Sequence, residues 1–591
     1  MERSLPRTAF AFAFASLAGL LLGSTGDSVQ DETQSAPTGN PTRGAYERFA
    51  VASDHSLASN AGVEVLRAGG NAADAAAATM LALGVVNPQS SGMGGGGFAV
   101  YYDAESGTTT FLDFREAAPA AATPDMFADN EPTDELGGRP SQVGGLASGV
   151  PGEPAGIAEL VRRFGQKPLS VAAAPAVRLA RDGFDAQAAL AGASVYAVDH
   201  LRRDPAMRRW IAEGADGIAL GQRIRRPELA RTLTAFGRSG HDAIYRGRIA
   251  REIVRANNRN GGNMTMEDLA SYRVLERPAL SVDALGFRWV TAPPPSAGGY
   301  TLLASLALLD RWVPEARRQE AGAPLMHALA ESWKGPFWDR ASYFGDPSFV
   351  DVPVDALLAS ERVDRRAAAY RRQVATPADV YAMPLPDRPA AAPAPPEEHG
   401  TSHLSVIDEA GNVAAITTTV NLYFGARYTA AGMVMNDEMD DFASSVGVSN
   451  AFGLPGGAPN LPGPGHRPVS SMTPTIVFDA DGPVLAIGAS GGSRIVTATE
   501  QVAWHTLVRG LDPYDALNHP RVHHQGFPNV LRTEESHPQG DQVLAGLGDR
   551  GHPRETARHS AVVQLIRVNR GEGPRLIAVS DPRKGGQPAG E

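Results

Sequence analysis

The sequence contains no cysteine. This absence excludes disulfides, thiolate metal ligands, a cysteine nucleophile and a lipid-modified cysteine behind a signal peptide. Serine, threonine, lysine and the carboxylates are therefore the candidates for chemistry. The sequence also lacks a His-Glu-x-x-His motif, and the histidine pairs His523/His524 and His399/His403 are isolated. We expect no metal and no other cofactor.

The sequence has fewer basic than acidic residues. The 591 residues include 54 Lys and Arg against 65 Asp and Glu, a formal net charge of -11. Phosphate backbones are bound by concentrated basic residues, so nucleic acid is not an expected partner. The glycine-rich run 92–97 leads into a strand-like segment and lacks a following Lys-Ser or Lys-Thr, which excludes a nucleotide loop. At 43% hydrophobic and 20% charged, the chain has an ordinary globular composition.

An apolar run long enough to cross a bilayer comfortably is missing from the N-terminus. Arg3 and Arg7 precede the apolar run 9–22, which has only 14 residues, whereas a spanning helix needs about 20. We predict a signal peptide over residues 1–26 and a secreted or periplasmic protein without stable membrane insertion. An uncleaved membrane anchor is the alternative, because no Ala-x-Ala site follows. The polar residues 27–43 are typical of a disordered linker.

The rest of the chain alternates helical and strand-like patterns. Amphipathic helical patterns predominate between residues 151 and 372 and indicate a layer of helices that covers the rest of the fold. Asn71 is a candidate N-cap between the first two helices. Strand pairs flanked by helices indicate stacked sheets with helices outside. The predicted helices are residues 56–66, 72–83, 155–164, 170–182 and 494–508, and the predicted strands are residues 98–102, 404–407, 413–420, 475–478 and 484–488.

Thr401 lies where the Pro-rich linker 384–400 meets a predicted strand. A threonine exposed there by self-cleavage would supply both a hydroxyl nucleophile and an α-amine base, whose ordinary pKa is about 7.7–8.0. Gly400 suits the cleavage, since a residue without Cβ tolerates strained geometry. Cutting would give a large subunit, residues 44–400, and a small subunit, residues 401–591. The alternative is an ordinary threonine that opens a strand.

Two further segments offer groups for acyl transfer. Gly491 and Gly492 lie between a predicted strand and a predicted helix, where adjacent backbone N–H groups can form an oxyanion hole. The alternative is an ordinary glycine turn with Ser493 as the helix N-cap. Ser470 and Ser471 are two hydroxyls in a proline-bracketed loop, and the alternative is that they bond their own backbone.

Charged residues complete the candidate set. Arg115 follows an apolar strand-like run and is suited to binding a planar carboxylate, the alternative being an ion pair with Asp113 or Glu116. An acidic run contains Glu438 and Asp441. A solvated loop and a calcium site are the alternatives there, although the spacing does not match an EF-hand loop.

Taken together, the chain from about residue 49 to residue 582 resembles the γ-glutamyltranspeptidase (glutathione hydrolase) family. The matching segments are residues 67–76, 94–98, 113–116, 294–299, 401–403, 417–421, 436–442, 467–474, 491–494 and 521–525. The resemblance implies an α+β fold of the N-terminal-nucleophile hydrolase type, a four-layer αββα sandwich with a helical cover from the large subunit. It also implies autocleavage before Thr401 into a heterodimer.

The resemblance assigns a role to each candidate. Thr401 would be the nucleophile, Thr419 would orient it, and Gly491 and Gly492 would form the oxyanion hole. The α-amino group of the substrate would be held by Asn421, Glu438 and Asp441, and its α-carboxylate by Arg115, Ser470 and Ser471. The implied reaction is transfer of a γ-glutamyl group through a Thr401 ester to water, an amino acid or a peptide.

Some positions depart from the family pattern. Ser402 replaces the threonine that usually follows the nucleophile, Phe452 replaces a lid tyrosine of some bacterial relatives, and residues 556–564 match poorly. Two alternatives remain open. One is a cephalosporin or glutaryl acylase on the same scaffold, and the other is a secreted amino-acid-binding protein without catalysis.

Overall fold

The computed structural model describes residues 42–133, 135–385, 400–534, 540–557 and 561–591. All of the described residues belong to one compact unit. The predicted signal peptide, residues 27–41 of the predicted linker and residues 386–399 of the Pro-rich linker lie outside the described residues. Among the described residues, no helix combines the length and the apolar character needed to cross a bilayer.

Two large antiparallel sheets organise the fold. Sheet I has the strand order β1-β20-β19-β15-β14-β9-β8, and sheet II has the order β21-β2-β10-β11-β3-β4-β7. The strands are β1 (Arg43–Tyr46), β2 (Ala50–Ser53), β3 (Gly96–Asp103), β4 (Thr108–Phe114), β5 (Phe184–Asp185), β6 (Arg223–Ile224), β7 (Leu275–Arg277), β8 (Leu280–Ala284), β9 (Phe287–Thr291), β10 (Gly400–Ile407), β11 (Val413–Asn421), β12 (Thr429–Ala430), β13 (Met433–Val434), β14 (Thr475–Asp479), β15 (Gly482–Ser490), β16 (Val522–His523), β17 (Leu531–Glu534), β18 (Arg554–Ala557), β19 (Val562–Val568), β20 (Leu576–Ser580) and β21 (Ala589–Gly590).

Helices cover the outer faces of both sheets. Helices α1 to α3 pack on sheet II, and α10, α14 and α15 pack on sheet I. The helices are α1 (Ser56–Arg67), α2 (Ala72–Val86), α3 (Glu153–Phe164), α4 (Leu169–Asp182), α5 (Ala188–Arg203), α6 (Pro227–Ser239), α7 (His241–Tyr245), α8 (Gly247–Arg259), α9 (Met266–Ser271), α10 (Ala297–Trp312), α11 (Ala323–Tyr343), α12 (Val354–Leu358), α13 (Ser360–Ala367), α14 (Arg494–Ala503), α15 (Pro513–Asn518) and α16 (Gly540–Asp549). The predicted four-layer αββα sandwich is confirmed, and helices α1 to α13 all precede Gly400.

Side chains along β10 point alternately into the two hydrophobic cores on either side of sheet II. Leu404 and Val406 belong to the core between sheet II and its helices, whereas Ile407 belongs to the core that includes the space between the sheets. His403 points the same way as Ile407, and a Cβ added at Gly488 of β15 would lie 2.3 Å from its ring. Because the period is two, Thr401 also faces the opposite sheet.

The predicted helices and strands agree with the structure except at one helix, and Arg43, the last residue of the predicted linker, is the first residue of β1. Asn71 caps α2 by accepting from the backbone N–H groups of Ala73 and Asp74, as expected for an N-cap. The helix predicted over residues 494–508 is α-helical only to Ala503 and continues as a π-helical turn, Trp504–Val508. Ser493 precedes α14 but makes no side-chain capping bond, and its hydroxyl instead donates to Gln525 Oε1.

Candidate active site

Thr401 lies at the start of β10, beside Thr419 of β11. The register between the two strands shifts between Gly400 and Thr401. The hydroxyl of Thr419 donates to the carbonyl oxygen of Gly400 at 2.7 Å and accepts from the Asn421 backbone N–H at 2.9 Å. Its single proton is then committed, so at 3.1 Å it accepts from the Thr401 hydroxyl. One hydroxyl therefore contacts both the nucleophile candidate and the carbonyl at the predicted cleavage site.

The backbone of Thr401 is held by a buried ion pair that the sequence analysis missed. Lys584 Nζ donates to the Thr401 carbonyl oxygen and pairs with Asp54 Oδ2 at 2.6 Å. Asp54 is fully buried and also accepts from Gln564 Nε2 at 2.7 Å. The charge pair therefore fixes the backbone of Thr401, the second residue of β10. Since the two charged partners are 530 residues apart, no local sequence signal indicates their contact.

Most of the candidate residues line one small cavity of about 20 Å³. Gly491 is the one candidate outside this lining, apart from the cleavage-site residue Gly400. The cavity has room for about one water molecule, so a glutamyl group needs side chains to move. The lining comprises Arg115, Thr401, Thr419, Asn421, Glu438, Asp441, Phe452, Ser470, Ser471, Met472, Gly492 and Ile495.

Arg115 is paired with the two acids that were expected on the other side of the substrate. Its guanidinium donates to Glu438 Oε1 and, at 2.5 Å, to Asp441 Oδ2. The neighbouring Glu116 carboxylate is 4.0 Å away, and Asp113 contacts Arg115 only at its backbone N–H because the Asp113 carboxylate pairs with Arg277 and Arg467. A zwitterionic ligand must therefore separate Arg115 from these acids, placing its carboxylate on the guanidinium and its ammonium on the carboxylates.

Acid exceeds base around Arg115. Burial raises the pKa of Glu116 to about 8 and raises the pKa of Glu438 well above its ordinary value, despite the opposing effect of Arg115. Burial also raises the pKa of Asp441. Both carboxylate oxygens of Glu116 and Oε2 of Glu438 are buried without a hydrogen-bond partner among the described residues. The cluster thus has a place for an additional cation, such as an ammonium group.

The remaining candidates occupy the rim of the cavity. Asn421, at φ 76°, donates through Nδ2 to the Asp437 carbonyl oxygen. The hydroxyl of Ser470 accepts from the Met472 backbone N–H, which is the local turn expected as the alternative for this loop. Ser471 also lines the cavity. None of these contacts blocks a further bond from a ligand, since amide and hydroxyl oxygens each accept two.

Gly491 and Gly492 form the turn between β15 and α14. Their φ angles are 140° and 59°, a region that favours glycine. Within the part of the chain that the structure describes, neither amide donates to a turn or side-chain acceptor. These N–H groups stand just before the N-terminus of α14, where the helix dipole favours negative charge. The turn is therefore suited to an oxyanion.

Two neighbours of the site were not singled out as binding residues. Asn450 Nδ2 donates to Asp441 Oδ1 at 2.9 Å and Asn450 Oδ1 accepts from the Phe452 backbone N–H, so the segment carrying Phe452 is tied to the acid cluster. Arg340 is buried near Asp441, and burial lowers its pKa to about 10. The positive charges of Arg115 and Arg340 oppose the effect of burial on the Asp441 carboxylate and favour its ionised form.

One group of potential metal ligands exists among the described residues, away from this cavity. His327, Glu331 and His552 are buried and within reach of one ion. Lys334 Nζ already donates to Glu331 Oε1 at 2.6 Å, and His327 Nδ1 is 2.7 Å from His552 Nε2. A cation would have to displace the lysine ammonium, so the group is better described as a hydrogen-bonded core cluster.

Comparisons with known proteins identify the family that the chain resembles. The family model for gamma-glutamyltranspeptidase matches residues 58–591. The glutathione hydrolase proenzyme of Escherichia coli (strain K12) is 36% identical over 539 residues, 90% of each chain. The solved cephalosporin acylase from Bacillus halodurans superposes with a TM-score of 0.79 at 26% identity, covering 95% of this chain and 99% of that one. The Helicobacter pylori gamma-glutamyltranspeptidase gives a TM-score of 0.52 at 33% identity, covering 58% and 96%.

Proposed function

The chain belongs to the γ-glutamyltranspeptidase family, and we propose that it hydrolyses glutathione and related γ-glutamyl amides and transfers the γ-glutamyl group. Family membership confirms the resemblance stated from the sequence and the prediction of an enzyme. The observation that carries the proposal is the single cavity shared by Thr401, Arg115, Glu438 and Asp441. A nucleophile, a carboxylate-binding cation and two ammonium-binding acids are what a γ-glutamyl substrate requires.

Self-cleavage is the first step of the proposal. The Thr401 oxygen attacks the Gly400 carbonyl carbon, the C–N bond breaks, and an ester replaces the amide. Water then hydrolyses the ester, leaving a free carboxylate on Gly400 and a free α-amine on Thr401. Thr419 supports this step because its hydroxyl donates to the carbonyl oxygen under attack at 2.7 Å.

Catalysis then uses the new α-amine as the base. It takes the Thr401 hydroxyl proton as the oxygen attacks the substrate γ-carbonyl, and returns the proton to the departing amine. Gly491 and Gly492 stabilise the oxyanion through their N–H groups. The γ-glutamyl ester on Thr401 is passed to water, an amino acid or a peptide in a second attack that reverses these roles.

Substrate recognition follows from the charges. Arg115 separates from Glu438 and Asp441. Together with Ser470 and Ser471, Arg115 then binds the substrate α-carboxylate. The freed acids, with Asn421, bind the α-ammonium group. Both partners stay compensated, which matters because leaving one buried charge unpaired costs about 3–5 kcal/mol.

The two products of cleavage are proposed to stay together as a heterodimer. Sheet II contains β2, β3, β4 and β7 from before Gly400 and β10, β11 and β21 from after it, and sheet I is mixed in the same way. Separation of the chains would break both sheets. Export through the N-terminal segment 1–26 is part of the same proposal, and N-terminal sequencing of the exported protein tests it.

The activity test uses γ-glutamyl-p-nitroanilide. Wild-type protein is expected to release p-nitroaniline, and Thr401→Ala is expected to lose at least about 1,000-fold in kcat/KM because the nucleophile is gone. Ser402→Ala is the matched control, since Ser402 is the adjacent buried hydroxyl. Full activity in Thr401→Ala would contradict the proposal.

The acylase alternative retains one supporting observation, the 0.79 TM-score of the cephalosporin acylase. Such an acylase takes a glutaryl group, which lacks the α-amine. Glutaryl-p-nitroanilide and γ-glutamyl-p-nitroanilide differ only in that amine, so their kcat/KM ratio separates the two functions. We expect the γ-glutamyl compound to be preferred because Glu438 and Asp441 would otherwise be left without a cation when Arg115 moves.

A further inference from the structure

A second pocket, of about 550 Å³, lies outside the active-site cavity and shares no lining residue with it. It is formed by α5 and the turn after it, by α8, and by the segment around β12. Its volume is typical of sites for small ligands, which are about 300–1,000 Å³. We call it the arginine pocket because its lining includes Arg203, Arg209, Arg255, Arg259 and Arg427.

Most of these cations have no described carboxylate within ion-pair distance, although buried Asp437 interacts electrostatically with Arg427 from farther away. Among the described residues, Arg209, Arg255, Arg259 and Arg427 form no ion pair with a carboxylate, whereas Arg203 lies 3.6 Å from Glu135. Arg255 donates only through Nε, to a backbone carbonyl of its own helix at 3.1 Å. Four arginines without a described ion-pair partner thus line one pocket of a chain whose formal net charge is -11.

The acids in the lining are mostly engaged elsewhere. Asp204 accepts from the backbone N–H groups of Ala206, Met207 and Thr429 and from the Thr429 hydroxyl. Glu252 pairs with Arg248 at 2.6 Å. Only Glu228, in the first turn of α6, adds negative charge to the lining without such a contact. The pocket is therefore net positive.

Arg427 is the most constrained of the five. It is partly buried, its φ is 64°, and its Nε donates to the Gly425 carbonyl oxygen at 3.1 Å. The next residue, Tyr428, is anchored by its hydroxyl to Ser148 and Asn257. The terminal N–H groups of Arg427 have no acceptor among the described residues. A planar donor held in this way is suited to receive an oxyanion in the two-bond geometry that arginine forms.

We propose that the arginine pocket binds a small oxyanion that carries at least two negative groups of the phosphate or carboxylate type. The convergent unpaired arginines provide the charge, and the fixed backbone of Arg427 provides a position for one of the groups. Two charged groups are needed because the cations come from different sides, with Arg427 on the β12 segment and Arg255 and Arg259 on α8. The site is independent of the proposed γ-glutamyl chemistry.

Isothermal titration calorimetry with inorganic pyrophosphate and with citrate, at fixed ionic strength and with chloride as the reference anion, tests the proposal. We expect saturable binding of one anion per chain for the better of the two ligands. The tighter ligand identifies the phosphate or the carboxylate source. Absence of saturable binding for both ligands up to about 10 mM would overturn the proposal, since charged contacts of this number act in the millimolar range or below.

Variants distinguish the pocket from general surface charge. Arg427→Gln and the double variant Arg255→Gln/Arg259→Gln are each expected to weaken binding at least about 10-fold, the loss of one charge-assisted contact. The double variant changes only exposed side chains, so it remains informative if Arg427→Gln does not fold. Arg251→Gln is the matched control, because Arg251 is an exposed arginine of α8 outside the lining. Equal weakening in Arg251→Gln would also overturn the proposal.

Discussion

Replacing Thr419 by valine tests whether its hydroxyl promotes self-cleavage. Valine keeps the β-branched shape of the side chain and removes the donor that lies 2.7 Å from the Gly400 carbonyl oxygen. During attack by Thr401 this oxygen becomes an oxyanion. Loss of one preorganised donor to an oxyanion lowers a rate by about 100- to 1,000-fold, or about 3–4 kcal/mol.

The same substitution has a structural cost that must be separated from the kinetic one. The Asn421 backbone N–H, now 2.9 Å from the Thr419 hydroxyl, would lose its acceptor. A buried donor left unsatisfied costs about 1–3 kcal/mol of stability. Thermal unfolding of the variant measures this cost. Thr419→Ser retains the hydroxyl and is expected to keep both the cleavage and the Asn421 contact.

The assay is a time course of precursor disappearance by denaturing gel electrophoresis, starting from freshly synthesised chain. Thr417→Val is the matched control. Thr417 lies on the same face of β11 two residues away, and its hydroxyl contacts His403 Nδ1 at 2.9 Å instead of Gly400. We expect slow cleavage in Thr419→Val and near wild-type cleavage in Thr417→Val. A Thr419→Val chain that folds and cleaves within about threefold of wild type would refute the reasoning.

Other substitutions give further expected outcomes. Arg115→Lys keeps the charge but loses the two-bond fork, so we expect KM for γ-glutamyl-p-nitroanilide to rise about 10- to 100-fold with little change in kcat, and steady-state kinetics measures both. Lys584→Met leaves buried Asp54 without its charged partner and is expected to destabilise the fold by about 3–5 kcal/mol. The double variant Asp54→Asn/Lys584→Met should recover more than half of the lost melting temperature. Burial lowers the pKa of His403 to about 3. In the unfolded chain His403 has its ordinary pKa of about 6.5, so below this pH the unfolded state binds more protons than the folded state. The fold therefore loses about 1.4 kcal/mol of stability per pH unit through His403 as the pH falls from 6.5 towards 3. His403→Gln should narrow the loss of melting temperature between pH 6.5 and pH 4.5, and an unchanged difference would contradict this account.

Local structure was largely predictable because its causes are local. The N-cap at Asn71 and the strand at Thr401 each depend on residues that are close in sequence. The structure shows a capped α2 and a strand from Gly400 to Ile407. The π-helical end after Ala503 was missed because the apolar pattern of residues 494–508 continues through it. Periodicity alone does not distinguish i+4 from i+5 bonding over one turn.

The motifs predicted most residues that line the cavity around Thr401, but not how these residues pair with one another. The family motifs indicate Arg115, Glu438 and Asp441 together, yet the direct ion pairs between them join residues more than 300 positions apart. Burial sets the shifted pKa values of Glu116 and Glu438, and burial is a property of the packed fold. The contact of Lys584 with Thr401 and the arginine pocket likewise depend on packing that no short motif encodes.

Intact-mass spectrometry before and during turnover tests the central claim most directly. The account predicts two chains, the second beginning at Thr401, and a transient species in which that second chain carries one γ-glutamyl group mapped to Thr401. Thr401→Ala should give one uncut chain that never gains the group. An active wild-type protein that remains a single chain, or a γ-glutamyl group attached to any other residue, would contradict it.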